Sequence, residues 1–345
     1  MVDMVDDDKL ERRVTGADVA NAAGVSPSAV SRTFTPGASV SPATRDRVLR
    51  AAVALGYRPH FIARSSRERH GNLVGILISD LGNPWYAMAV QRLSQALQEH
   101  AFHAVLFDAN TPDMLTRIVP LILQYQLDGL LIGAPDMPLI VADVCAGTAT
   151  PIVMFGRLSK PELGLSSVAC DDHQSGREVV DLLVERGYQR LAYLGGEAGP
   201  IADTRRGEGF AERVRELRLP PITNVSASES SYAAGGRAAD ALLGHAQRPD
   251  AVFCQNDVLA IGFLDVARNR YGLNVPDDLA VVGFDDIPAA SQFPYQLTTV
   301  QQPLDAMMTE AVSLISHQIA SSAPVPETRL LPGRIIERQT VRSPL

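Results

Sequence analysis

The sequence predicts a small all-α unit followed by a larger α/β body built on two doubly wound parallel sheets. Three observations carry that expectation. Short capped helical segments crowd the first sixty residues, apolar β-prone runs alternate with helix-length segments from Asn72 onward, and charge divides unequally between the two regions. At 345 residues the chain is too long for one ordinary core, so more than one folding unit is required.

The helical unit begins at TGADVANAAGVSPSAVSRTF, Thr15 to Phe34. Thr15 can cap a helix, Asp18 sits three residues on near the positive end of its dipole, and Val19, Ala22 and Ala23 follow at helical spacing. Gly24 supplies the left-handed stop. Ser26 and Pro27 then repeat the start, cap followed by first-turn proline, and Ala29, Val30 and Thr33 or Phe34 give the apolar face. Two short helices joined by a turn containing glycine form a helix-turn-helix layout. Ser41-Pro42 opens a third helix, with Val48, Ala51, Ala52 and Leu55 on one face and Arg45, Arg47 and Arg50 around the other.

Residues 12–70 hold ten arginines against three acids, whereas residues 71–345 hold 20 basic and 31 acidic residues. A basic unit on an acidic body suits a polyanion binder carried by a part that avoids the polyanion. The plain alternative is a helical bundle with a solvated charged face. Against it, Ser28, Ser31 and Arg32 share a helix surface free of acids, which favours DNA. The chain is 46% apolar and 20% charged, as in soluble globular proteins, and it has no apolar run of the ~18–20 residues a membrane helix needs. Its start, MVDMVDDDKLERR, lacks the layout of a secretory signal, so a cytoplasmic location without membrane association is expected. Cys145, Cys170 and Cys254 are scattered among apolar residues and read as buried thiols. With no H-x-x-x-H or C-x-x-C spacing, neither a metal nor another cofactor is expected.

In the body, LVGILIS, AVLF, GLLIG and PIVMF form one set of strands, and RLAYLGG, AVFC and LAVVGF a second. The sets span roughly residues 72–165 and 170–300, implying two lobes with a cleft between them. Ligands of such sheets lie beyond the carboxyl ends of the strands. The residues there are Ser79, Asp80, Asn83 and Trp85, then Gly156 and Arg157, Asp171, Arg205 and Arg206, Asn256 and Asp257, and Asp285 and Asp286. Polar groups to orient a ligand and an aromatic to stack on it describe a site for a hydroxyl-rich small molecule. Each residue also has a structural reading: Asp257 and Asp286 can cap helices, Asn83-Pro84 can be a turn, and a lone Trp is commonly core. Enzymatic signatures are lacking. There is no Gly-x-Ser-x-Gly elbow or P-loop, LGGEAGP is not in G-x-G-x-x-G order, and adjacent Asp285 and Asp286 point apart. A sugar-modifying enzyme and an exported two-lobed solute-binding protein remain the rival readings, and neither accounts for the helical unit.

The stretches VTGADVANAAGVSPSAVSRTF and VSPATRDRVLRAAVALGYRP resemble the DNA-binding headpiece of the lactose/galactose repressor family. The resemblance covers nearly every position from Val14 to Pro59 and continues more weakly to Leu331. It implies an acidic tail (1–13), a helix-turn-helix headpiece (14–58), a hinge (59–70) and a periplasmic-binding-protein-like body (71–345). Within the body it implies an N-lobe of about 71–165 plus 303–330 and a C-lobe of about 166–300 plus 331–342. The implied function is a repressor that binds a pseudo-palindromic operator as a homodimer and answers to a sugar-like effector. A dimer rather than a tetramer is expected because RIIERQTVRSPL carries no leucine-heptad tail.

Carried over position by position, Pro27, Ser28 and Arg32 become the base-reading residues, with Arg32 suited to guanine O6 and N7. Thr15, Ser26, Ser31 and Thr44 become phosphate contacts. RRGEGF places the effector-gripping arginine at Arg206, QND and VVGFDD place polar contacts at Asn256 and Asp285, and TTVQQP places Gln302 near the lobe crossover. Ser79, Asp80, Asn83, Trp85 and Arg157 complete the candidate effector set. One departure is plain: Gly156-Arg157 stands where many sugar-binding members carry Asp-Arg, which removes a hydroxyl-binding carboxylate.

Between the units lies PHFIARSSRERHG, with Ile62, Ala63, Arg64 and Ser66 as candidate DNA contacts. It allows about two helical turns, below the ~12–15 residues at which a free helix becomes even marginal, so it is expected to fold on DNA. In the family this segment enters the minor groove and a leucine wedges between base pairs. Here that position is Ser66, so either the kink is weaker or Arg64 and Arg67 hold the groove electrostatically. Ser66→Leu is expected to increase both operator affinity and DNA bending, measured by gel shift and end-to-end energy transfer. An electrostatic hinge instead steepens the salt dependence of binding, by ~0.9 in log-log slope per phosphate neutralised.

Overall fold

A computed structural model of the chain describes residues 14–34, 38–57, 71–109, 111–133, 141, 147, 149–195, 205–245, 247–321 and 323–344. The chain divides into two compact units, Met1–Gly71 and Asn72–Leu345. The expected tail, the hinge with Ile62, Ala63, Arg64 and Ser66, and Cys145 fall outside the described residues.

In the first unit, α1 (Gly16–Ala23), α2 (Pro27–Thr33) and α3 (Pro42–Ala54) pack against one another. Thr15 and Asp18 form a reciprocal capping box, and Gly24 ends α1 with φ 63°. Ser26 and Ser41 cap α2 and α3 ahead of their prolines. Val19, Ala20, Ala23, Val30, Val48 and Ala52 make the core, closed by Phe34 and Tyr57 with ring centroids 5.9 Å apart. Arg45 ties α3 to α2 by donating to the Thr33 carbonyl at 2.9 Å. Leu55 differs from expectation: it follows the last turn of α3 and is exposed, so the helix face it was to share ends at Ala52.

In the second unit, β1 (Leu73–Ile78), β2 (His103–Asp108), β3 (Gly129–Gly133), β4 (Ile152–Phe155) and β5 (Ser166–Cys170) belong to one sheet. The second contains β6 (Leu191–Gly195), β7 (Thr223–Ser226), β8 (Ala251–Cys254), β9 (Ala280–Asp285) and β10 (Thr298–Gln301). β11 (Thr328–Leu331) joins the first, giving the order β11-β5-β4-β3-β1-β2, and β12 (Arg334–Ile336) joins the second as β12-β10-β9-β8-β6-β7. Pairing is parallel except for β12 against β10. β3, β4, β5, β8 and β9 are buried at every position, as strands covered on both faces should be.

The boundary between lobes lies later than the pattern suggests. The C-lobe was expected to start at 166, yet β5 pairs with β4 and β11 in the first sheet, so the chain crosses after Cys170. It crosses back after Gln301 and again between Leu331 and Arg334. The crossings are stitched together where the Asp171 N–H donates to the Leu331 carbonyl at 2.7 Å.

Helices α4 (Pro84–Glu99) and α5 (Pro112–Tyr125) follow β1 and β2. Second-lobe helices are α6 (Asp172–Glu185), α7 (Arg205–Glu216), α8 (Tyr232–Leu243) and α9 (Asp257–Asn269), while α10 (Leu304–Ala320) returns to pack on α4 and β3–β5. α6 and α7 meet almost backbone to backbone. A Cβ on Gly176 would lie 2.1 Å from the Arg206 carbonyl oxygen, and one on Gly209 1.9 Å from that of His173. This pair of glycines sets the position of the first turn of α7, and hence of Arg206. Gly176→Ala is expected to destabilise the body by about 2–3 kcal/mol through overpacking against backbone, read as a lower midpoint in urea unfolding.

Candidate effector site and DNA-reading face

The carboxyl ends of both sheets line one cavity of about 490 Å³ within the second unit. After β1 come Ser79, Asp80 and Asn83, with Trp85 and Tyr86 in the first turn of α4; after β4 come Gly156 and Arg157. The second lobe supplies Arg206, Ser228 to Ser231 after β7, Gln255 and Asn256 after β8, and Asp285 at the end of β9. Gln302 sits at the crossover after β10. All nine residues proposed from sequence for effector contact, Ser79, Asp80, Asn83, Trp85, Arg157, Arg206, Asn256, Asp285 and Gln302, are therefore brought together. Their scaffold is the strand-end rule for α/β sheets.

Other strand-end residues have structural work. Asp171 caps α6 by accepting from the Gln174 N–H at 3.2 Å, and neither it nor Arg205 lines the cavity. Asp257 is fully buried, accepting from Thr299 Oγ1 at 2.6 Å and from the Ile287 N–H at 2.9 Å. Asp286 pairs with Arg338 at 2.6 Å. The cap of α9 is Asn256, whose Oδ1 accepts from the Leu259 N–H at 2.9 Å, leaving its amide NH2 as the group able to face a ligand.

Arg206 is held on three sides. Its Nε and Nη2 donate to Asp172 Oδ2 at 3.2 and 2.9 Å, Nη1 donates to the Gln255 carbonyl at 2.5 Å, and the guanidinium lies 3.6 Å from the centroid of the Phe284 ring. Although burial opposes it, the nearby Asp172 and Asp285 carboxylates raise its pKa, so it stays charged. Asp172 was not singled out from sequence; it adjoins the helix cap at Asp171, and its partner lies 34 residues away.

Asp285 sits at the strained end of β9 with φ 115°, followed by Asp286 at φ 55°. Hydrogen bonds hold this kink: Gln302 Nε2 donates to Asp285 Oδ1 at 2.7 Å, and Gln301 Nε2 to Asp286 Oδ2 at 2.8 Å. Burial pushes the Asp285 carboxyl up to about 6, against the opposing influence of Arg206 and of hydrogen bonds from Gln302 and Asn83. The Asn83 contact joins the lobes, since Asn83 caps α4 in the first and Asp285 ends β9 in the second.

Trp85 departs from its expected role. The residue is 3% exposed, and its ring meets Tyr86 edge-on at 5.1 Å and packs over Gly156, where a Cβ would lie 2.7 Å from the indole. With φ at 75°, residue 156 is glycine for two reasons, conformation and contact. Glycine in place of an acid here thus belongs with the tryptophan. The ring is wall rather than open stacking face.

In the first unit, α2 buries Ala29, Val30 and Thr33 and exposes Pro27, Ser28, Ser31 and Arg32. Ser26 Oγ accepts from the Ala29 N–H at 3.2 Å and lies 2.9 Å from Ser28 Oγ. Thr15 is exposed and Thr44 half-buried, each engaged in the start of its helix. A helix of this kind offers side chains to a groove while its caps offer hydroxyls to phosphates.

Residues 16–60 match the bacterial regulatory proteins of the lacI family, and residues 180–341 match the periplasmic binding protein-like domain. The chain is 30% identical over 338 residues to the transcriptional repressor CytR of Escherichia coli (strain K12), covering 97% of this chain and 98% of that protein. The chain belongs to the lacI family. It is also 31% identical over 336 residues to the transcriptional regulator CelR of Thermobifida fusca, covering 95% and 98% of the two chains. Among solved structures, the lac repressor dimer bound to operator and the anti-inducer ONPF matches with TM-score 0.82 at 25% identity, covering 95% of this chain and 99% of that one. The CelR–cellobiose complex matches with TM-score 0.71 at 29% identity, covering 95% and 100%. This lacI-family member is a DNA-binding transcription regulator, not an enzyme. Among its described residues no helix is long and apolar enough to cross a membrane.

Asp285→Asn removes the charge at the cavity and keeps one of the two acceptor oxygens, enough for the bond from Gln302. The folded carboxyl titrates at about 6 against an ordinary 3.8, so its charged form is the disfavoured one. That penalty is absent below the unfolded value, grows as pH rises between the two and is complete above about 6. The variant is expected to be more stable than the parent by on the order of 2 kcal/mol at neutral pH, with the gap closing near pH 4 in thermal melts.

Proposed function

We propose that this regulator is a repressor whose affinity for a pseudo-palindromic operator is set by a small sugar-like effector held between the lobes of its body. The observation that carries this reading is the convergence of polar strand ends from both sheets on one cavity of about 490 Å³. A ligand touching both lobes favours one lobe arrangement over another. That differential affinity is all that coupling requires, and couplings of ~1–3 kcal/mol are typical. The relatives point the same way: CytR is a repressor, and CelR and the lac repressor have structures with cellobiose and ONPF respectively.

The headpiece spans 14–58, the hinge 59–70 and the effector body runs from 71, in a cytoplasmic homodimer that presents two headpieces to two half-sites. Pro27, Ser28 and Arg32 read bases, Thr15, Ser26, Ser31 and Thr44 hold phosphates, and the hinge residues Ile62, Ala63, Arg64 and Ser66 complete the DNA contact set. Ser79, Asp80, Asn83, Trp85, Arg157, Arg206, Asn256, Asp285 and Gln302 contact effector.

Duplexes selected from a random pool by the full chain provide the operator. Arg32→Ala is expected to weaken that operator by ~1–3 kcal/mol and to relax preference at a single base pair, leaving other positions unchanged. Arg206→Lys keeps a charge against Asp172 but loses the fork, so it should keep operator affinity while losing the effector response. Loss of operator binding in Arg206→Lys, with the protein still folded, counts against the division of labour.

A further inference from the structure

Among the described residues, three buried side-chain atoms of the cavity wall, Ser79 Oγ, Trp85 Nε1 and Gln302 Oε1, have no hydrogen-bond partner. Trp85 Nε1 can only donate, and Gln302 Oε1 can only accept because its amide nitrogen is bonded to Asp285. A buried polar group left unpaired is unfavourable by several kinds of measurement, so these atoms describe their ligand. It must present an acceptor to the indole and a donor to the glutamine. Hydroxyl groups do both.

Charge narrows the choice. Arg206 is engaged by Asp172, and Glu229 by Arg237 at 2.8 Å, so two of the charged groups at the wall are already paired. What remains among the described lining residues is Asp80 and Asp285 against Arg157, one negative charge in excess. Burial raises both aspartates above their ordinary range, and Arg157 is hydrogen-bonded to the Tyr86 hydroxyl at the wall. A carboxylate or phosphate entering here meets the excess negative charge of Asp80 and Asp285 in a partly desolvated space.

We propose that the cavity selects an uncharged polyhydroxy compound, whose hydroxyls accept from Trp85 Nε1 and donate to Gln302 Oε1, and discriminates against the sugar acids and sugar phosphates of the same skeleton. The inference rests on the reading of this cavity as the effector site and adds the charge and hydrogen-bond pattern of the ligand. Trp85 is then a specificity-determining donor, fixed in place by Gly156.

The test uses the full chain in thermal shift and titration calorimetry with matched triads: glucose, glucuronate and glucose phosphate, with the corresponding galactose and ribose series and cellobiose as a larger neutral probe. At neutral pH at least one neutral probe is expected to bind, with its acid and phosphate at least about tenfold weaker. Trp85→Phe keeps an aromatic side chain without the N–H; it is expected to lower the melting temperature through the cavity it leaves, to keep operator binding, and to weaken the neutral probe about tenfold. Asp80→Asn should narrow the gap between neutral and phosphorylated members. An anionic member binding as tightly as its neutral partner overturns the selection, and unchanged affinity in Trp85→Phe overturns the donor role. Silence from every probe, with operator binding intact, overturns the sugar-like effector reading and the inference with it.

Discussion

The body is organised around a buried ion pair. Arg206 joins α7 to Asp172 on α6, to the backbone after β8 through the Gln255 carbonyl, and to β9 through the Phe284 ring. Breaking such a pair by removing one partner leaves an uncompensated charge, typically worth 3–5 kcal/mol. Its value here is one of position. A guanidinium clamped by a carboxylate, a carbonyl and an aromatic face has almost no rotamer freedom left, so it presents a preorganised surface to the cavity. The glycines at 176 and 209 make this possible by bringing the two helices close enough for the 34-residue span from Asp172 to Arg206 to close.

Asp285 is the second fixed point, and it is fixed against its own preferences. Its φ of 115° and its burial both oppose the state in which it is found. Hydrogen bonds from Gln302 and Asn83 hold the carboxylate, and the Asp286–Arg338 pair holds the next residue. Strain of this kind persists where the surroundings over-determine it, and it clusters at ligand sites. Because Asn83 comes from the first lobe, Gln302 from the crossover and Asp285 from the second, this single carboxylate senses both lobes and the joint between them.

Much of this was legible in the chain itself. Thr15, Ser26-Pro27 and Ser41-Pro42 announce three helix starts because capping chemistry is local. The cavity residues follow from one rule about strand ends, which holds irrespective of loop detail. The Ser228–Ser231 wall was missed because it follows β7, an edge strand reading TNVS with no apolar run to mark it. β5 was given to the wrong lobe because the pattern SSVAC shows a strand but not its neighbour; pairing with β4 and β11 decides that, and β11 lies more than 150 residues downstream. Leu55 reads as core on a helical wheel, yet α3 ends one residue before it.

The same packing limits how a bound ligand can act. Within the second lobe, α6 and α7 are locked by backbone contacts at Gly176 and Gly209, and α8 and α9 by those at Gly235 and Gly262, where an added Cβ would lie 2.0–2.2 Å from a carbonyl oxygen. Elements packed this closely shift as blocks, since sliding one past another requires the backbones to separate. In the first lobe, Gly156 is seated against the Trp85 side chain. Adjustment is therefore left to the crossings after Cys170, after Gln301 and between Leu331 and Arg334. Gln302 stands on one of them with one end bonded to Asp285 and the other unpaired. A ligand hydroxyl bonded to Gln302 would thus touch the joint between the lobes directly.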